Sequence, residues 1–144
     1  MTIPLAGHDA HCLALLDPRT RTLLSGDALQ LCGIDRWGTG VSDVEGYFRA
    51  LDTLSAMDID TLVTSHEYYP LGQTACGREA ISRYLAASRE ALLELIALVS
   101  ASSDAPDQLA SSITESKRRT EPNFPAQQVS TIKAIHKYLK SAVG

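Results

Sequence analysis

Thr22-Leu23-Leu24-Ser25-Gly26-Asp27-Ala28-Leu29 is the stretch whose reading decides the fold. An apolar run that stops at glycine reads as a β-strand and its end. The carboxylate of Asp27 follows at once, in a loop held by the strand, where binding and catalytic side chains concentrate. Alone, Gly-Asp after a strand is also an ordinary turn. It has company: His8 lies upstream of the same hairpin, and His66 lies at the end of the next strand.

Upstream, residues 2–6 read as an edge strand, where Pro4 is tolerated because no ladder donor is needed. Gly7 turns the chain into His8-Asp9-Ala10-His11-Cys12, and Leu13–Leu16 form the next strand. Asp17-Pro18-Arg19-Thr20 is a turn, with proline where its fixed φ suits one. Residues 11–25 are therefore an antiparallel hairpin. His8 precedes its outgoing strand and Asp27 follows its returning one, so both fall at the same end.

Downstream, the glycine-rich residues 28–41 read as a loop lying over a pocket, or as a surface loop with Trp37 packed beneath it. Ser42-Asp43-Val44-Glu45 reads as a capping box with Ser42 at the N-cap. Val44, Tyr47, Phe48, Leu51 and Leu54 recur at helical spacing and predict a helix over 43–56. Thr61–Thr64 is the next strand, ending at Ser65-His66-Glu67. A strand, helix, strand order of this length implies a right-handed crossover to a parallel neighbour. That places His66 with Asp27 at the carboxyl edge of the sheet, where α/β folds collect ligands.

After Pro70-Leu71-Gly72 the pattern turns helical. Ile81, Tyr84, Leu85, Leu92, Leu95, Ile96 and Val99 mark one face of a long helix. Pro106 opens a shorter one to about Lys117, with Leu109 and Ile113 inward. The last carries Val129, Ile132, Ile135 and Leu139, with His136 at the edge of its apolar stripe. A β-rich part (1–72) and a helical part (73–144) make one compact unit, since neither is large enough to stand alone.

The bulk properties narrow the function. A chain of 144 residues is one domain by expectation, and 44% hydrophobic with 21% charged is ordinary globular composition. A net charge of -4 gives no basic footprint for nucleic acid or anionic membrane. No long apolar span and no amino-terminal signal pattern is present, so the reading is a soluble, cytoplasmic protein. Cys12, Cys32 and Cys76 are odd in number and lack CxxC spacing, which argues for reduced thiols.

Imidazole and carboxylate are ligand types for zinc, iron or manganese, so His8, Asp27 and His66 are candidate metal ligands. A metal there would lower the pKa of bound water toward about 7 and polarise a carbonyl or phosphoryl oxygen. The competing reading is two surface histidines and a turn aspartate. Arg36, Trp37, Tyr68 and Tyr69 fall near the expected pocket edge, where packing or surface roles fit them equally.

Gly7-His8-Asp9-Ala10-His11-Cys12-Leu13-Ala14-Leu15, the run Asp17 to Leu29, and Ile59-Asp60-Thr61-Leu62-Val63-Thr64-Ser65-His66 together resemble the metallo-β-lactamase superfamily. The resemblance covers residues 1 to about 72. It implies that His8 is a metal ligand, that Asp27 is the catalytic carboxylate bridging two metals, and that His66 is a further ligand. The implied fold is α/β: half of an αβ/βα sandwich followed by carboxyl-terminal helices such as some members carry. The family's His-x-His-x-Asp-His cluster is not among the residues before His8, and the usual Thr-Pro-Gly after the first histidine is Asp9-Ala10-His11 here. Asp9 and His11 are candidate auxiliary ligands.

Two functions follow. One is a zinc-type hydrolase, possessing one or two metals (iron and manganese being the alternatives), acting on an ester, thioester, amide or phosphoester of a small molecule. Its missing ligands would come from a second copy in a homodimer or from an upstream segment, Met1 then being an internal start. The other is an inactive, metal-free truncated paralogue serving as a binding module.

Overall fold

The computed structural model describes residues 1–34 and 37–143. Five strands form a mixed sheet in the order β1-β2-β3-β6-β7: Thr2–Pro4, Leu13–Asp17, Thr22–Leu24, Thr61–Tyr68 and Gly72–Cys76. The hairpin is as expected, with Leu15 opposite Leu24 and Asp17 opposite Thr22, and β1 is the edge strand that carries Pro4. The crossover is present too: β3 pairs in parallel with β6 through Leu23 and Leu62, with helix α1 (Val44–Ser55) between them in sequence.

The alternation of the strands divides the sheet into two faces. Ala14, Leu23, Leu62 and Ala75 point into a core shared with Tyr47, Leu51 and Leu54 of α1. The same core takes Ile81, Tyr84 and Leu85 of α2 (Arg78–Ser100). Helices α3 (Pro106–Arg118) and α4 (Val129–Val143) complete the layer, with Leu109, Ile113, Ile132 and Ile135 buried. The opposite face bears Leu13, Leu15 and Leu24 at 55%, 50% and 46% exposure. No described helix is long and apolar enough to cross a membrane.

Four local readings need correction. Residues 28–41 include a small two-stranded sheet, β4 (Gly33–Ile34) and β5 (Trp37–Gly38), and Trp37 is 60% exposed instead of packed beneath a loop. The cap of α1 is Asp43, whose Oδ1 accepts the Gly46 N–H at 3.0 Å. Ser42 lies one residue before it, and its N–H and that of Asp43 both donate to the carbonyl of Gly7, each at 2.9 Å. Strand β6 runs past its expected end at Ser65-His66-Glu67 to Tyr68. Residues 73–76, read as the start of the helical region, instead belong to strand β7, which pairs antiparallel with β6.

Candidate functional site

The site is built at the edge of the sheet where β3 ends and β6 changes register. Gly26 adopts φ +56, the left-handed region open to glycine, and turns the chain just past β3. The Ser65 N–H donates to the Gly26 carbonyl at 3.3 Å, so this turn lies against β6. On β6, Val63 faces Thr74 but Tyr68 faces Gly72, so β6 carries the surplus residues of a bulge. Bulges re-aim side chains. Here the alternation breaks, and Ser65, His66 and Glu67 are all exposed in succession.

These two irregularities bring β6 onto Asp27. Its Oδ1 accepts hydrogen bonds from the hydroxyls of Ser65 and Tyr68, the latter at 2.9 Å. His66 Nε2 lies 3.3 Å from the same oxygen. Partial burial raises the Asp27 carboxyl, but the bonds from Ser65 and Tyr68 and the charges of His66 and His8 outweigh it and hold the group below its ordinary range. The Tyr68 hydroxyl is pushed far up, by burial first and then by donating to Asp27, so it stays a proton donor to that carboxylate.

His8 is placed by Gly7. That glycine has φ +150, and a Cβ on it would sit 2.6 Å from the Tyr47 Cα in the first turn of α1. Only glycine lets the loop and the helix approach so closely. His8 is half-buried, and its Nδ1 bonds the Gly40 carbonyl at 2.7 Å. The auxiliary candidates are turned to local work or to solvent. Asp9 accepts the His11 N–H at 2.9 Å within its own turn, and the His11 side chain is exposed.

The donor set of two imidazoles and a carboxylate has the chemistry of a zinc, iron or manganese site. Among the described residues, however, no group of three or more His, Cys, Asp or Glu could hold an ion. His8, Asp27 and His66 therefore do not by themselves make up a metal site.

A cleft of about 720 Å³ opens beside His66, lined in part by Tyr69, Pro70, Arg118 and Asn123. Tyr69 donates to Glu121 at 2.8 Å at its rim. Trp37 does not line it, and Arg36 lies outside the described residues. Sequence reasoning missed Gln30, Ser65 and Gly40, and assigned Tyr68 only to the pocket edge. The signal for Ser65 was its place next to His66; nothing local marks Gln30.

Residues 1–66 match the family model of the metallo-beta-lactamase superfamily, in agreement with the motif resemblance. The fold is similar to that of a metallo-beta-lactamase family protein from Thermus thermophilus, with a TM-score of 0.61 at 17% identity. That match covers 99% of this chain and 44% of the other. A double mutant of the sec-alkyl sulfatase PisA1 is similar at a TM-score of 0.54 and 15% identity, over 95% of this chain and 23% of that one. The chain thus spans less than half the length of either structure. No curated protein matches the sequence.

Proposed function

We propose that this chain is one half of a metal-dependent hydrolase site, with His8, Asp27 and His66 as its share of the ligands. The observation that carries the reading is the meeting of Asp27 and His66 at 3.3 Å on a sheet edge of metallo-beta-lactamase type. A zinc-type ion bound there would supply a water of lowered pKa and an electrophile for an ester, thioester, amide or phosphoester. The chain's own residues keep Asp27 ionised through Ser65 and Tyr68, and offer a small substrate the cleft beside His66.

The remaining ligands come from a second copy, docked through the bare sheet face in a symmetric dimer. Closed two-fold assemblies are the commonest oligomers, and the exposed row of leucines is the apolar surface such a contact needs. A cytoplasmic location goes with this reading, in keeping with three unpaired cysteines. The test is mass and metal content measured together. A dimer retaining stoichiometric zinc, iron or manganese after dialysis, lost in Asp27→Ala, supports the reading. A protein that takes up no metal from excess zinc overturns it. The same exposed leucines then favour the second reading, an inactive module that binds a partner through this face.

A further inference from the structure

We propose that Gln30 is the positioning residue of this site, its buried amide coupling the imidazole of His8 to the carboxylate of Asp27. Gln30 is 4% exposed, between the buried Leu29 and Leu31, and it uses every polar atom it has. On one side, Gln30 Oε1 accepts the Gly40 N–H at 3.1 Å, and the carbonyl of the same Gly40 is the partner of His8 Nδ1. On the other side, Gln30 Nε2 donates to the Asp27 carbonyl at 2.7 Å and to the Tyr68 hydroxyl at 3.0 Å. That hydroxyl in turn donates to Asp27 Oδ1. The main-chain N–H of Gln30 donates to the hydroxyl of Tyr47, which is fully buried, so the relay is anchored in the core.

Chemistry fixes each direction in this chain. A carbonyl has no proton to give, so His8 Nδ1 must carry the hydrogen, and Nε2 holds the lone pair of the neutral ring. The Gly40 N–H demands an acceptor and the Asp27 carbonyl demands a donor, so the Gln30 amide has only one satisfied orientation. Its second amide hydrogen then occupies a lone pair of the Tyr68 hydroxyl and leaves that hydroxyl to donate toward Asp27. All the described hydrogen bonds to the Asp27 side chain arrive on Oδ1. The relay therefore presents an imidazole lone pair from His8 and the second carboxylate oxygen of Asp27.

The space is tight as well. A Cβ at Gly40 would lie 3.1 Å from both Gln30 Oε1 and His8 Nδ1, and 3.0 Å from Gln128 Nε2. No buried side-chain nitrogen or oxygen among the described residues lacks a partner. An apolar residue at position 30 would orphan the Gly40 N–H and the Asp27 carbonyl together. A glutamate would keep the first bond and lose the second. It would also draw the Tyr68 proton away from Asp27.

The experiment is long-range ¹H–¹⁵N NMR of the full chain labelled on histidine, at about pH 8.5, where an ordinary imidazole is neutral. The His8 signal is assigned by its loss in His8→Asn. The wild type should show His8 as the Nδ1–H tautomer. Gln30→Met, close to isosteric, should shift it toward a mixture, whereas Gln30→Glu should preserve it. Zinc titration of the same proteins should then show affinity reduced about 10–100-fold in both variants. That last arm rests on the metal-site reading above, and the tautomer arm does not. If no protein binds zinc but the tautomer pattern holds, the metal reading falls and the relay stands. An Nε2–H tautomer in the wild type, or an unchanged one in a folded Gln30→Met, overturns the proposal. Should Gln30→Met not fold, loss of the Nδ1–H tautomer in Gln30→Glu overturns it equally.

Discussion

Leu23 and Leu24 are neighbours in the chain with opposite surroundings. Leu23 is fully buried in the row Leu16, Leu23, Leu62, Ala75 beneath the helices, and Leu24 is 46% exposed in the row Leu15, Leu24, Val63, Thr74. Polar residues would be expected on a face meant for water. Instead both rows are apolar at β2 and β3, the pattern of a strand buried on both sides. The difference teaches that β2 and β3 are apolar on both faces, while the described helices cover one.

The largest effect should come from breaking the covered face. Leu23→Ala should cost about 2–5 kcal/mol in denaturant unfolding, because the cavity lies where nothing can collapse into it. Leu24→Ala should cost less than about 1 kcal/mol in the isolated chain. Equal costs would mean that the two faces are alike in solution. Next, Leu15→Lys with Leu24→Lys should leave the melting temperature of the monomer nearly unchanged and abolish self-association in sedimentation velocity. A dimer that survives both charges is not held through this face.

The smallest effect tests the turn that joins the two strands. Asp17 accepts the Arg19 N–H at 2.9 Å and the Thr20 hydroxyl at 2.9 Å, and these bonds hold its carboxyl below the ordinary value. A carboxyl lowered in the folded state adds stability above its unfolded pKa of about 3.9 and loses it as pH falls through the folded value. Wild type should therefore melt slightly above Asp17→Asn at pH 7. The gap should close toward about pH 2, which melts across that range will check.

The hairpin, the crossover and the place of Asp27 were legible because each rests on local cues: a glycine after an apolar run, Asp-Pro in a turn, helical spacing from Val44 to Leu54. Strand β7 was not. Gly72-Gln73-Thr74-Ala75-Cys76 has neither a branched run nor clean alternation, and it is a strand because β6 offers it an edge to pair with. The cap falls on Asp43 and not on Ser42, where a carbonyl 35 residues upstream accepts the N–H groups of both. Within the site, the sequence pointed to groups whose chemistry announces itself. Gln30 joins Gly40 and Tyr68, partners 10 and 38 residues away, and no local pattern encodes that meeting.

The Thr131 hydroxyl in α4 accepts the Val41 N–H at 3.0 Å and donates to the Thr39 carbonyl at 2.6 Å. These two bonds grip the segment on either side of Gly40, the residue on which His8 leans. On the ribosome, the segment around Gly40 is made about 90 residues before the hydroxyl that grips it. A ribosome that stalls before α4 therefore leaves His8 and Asp27 synthesised and the Thr39–Val41 segment ungripped.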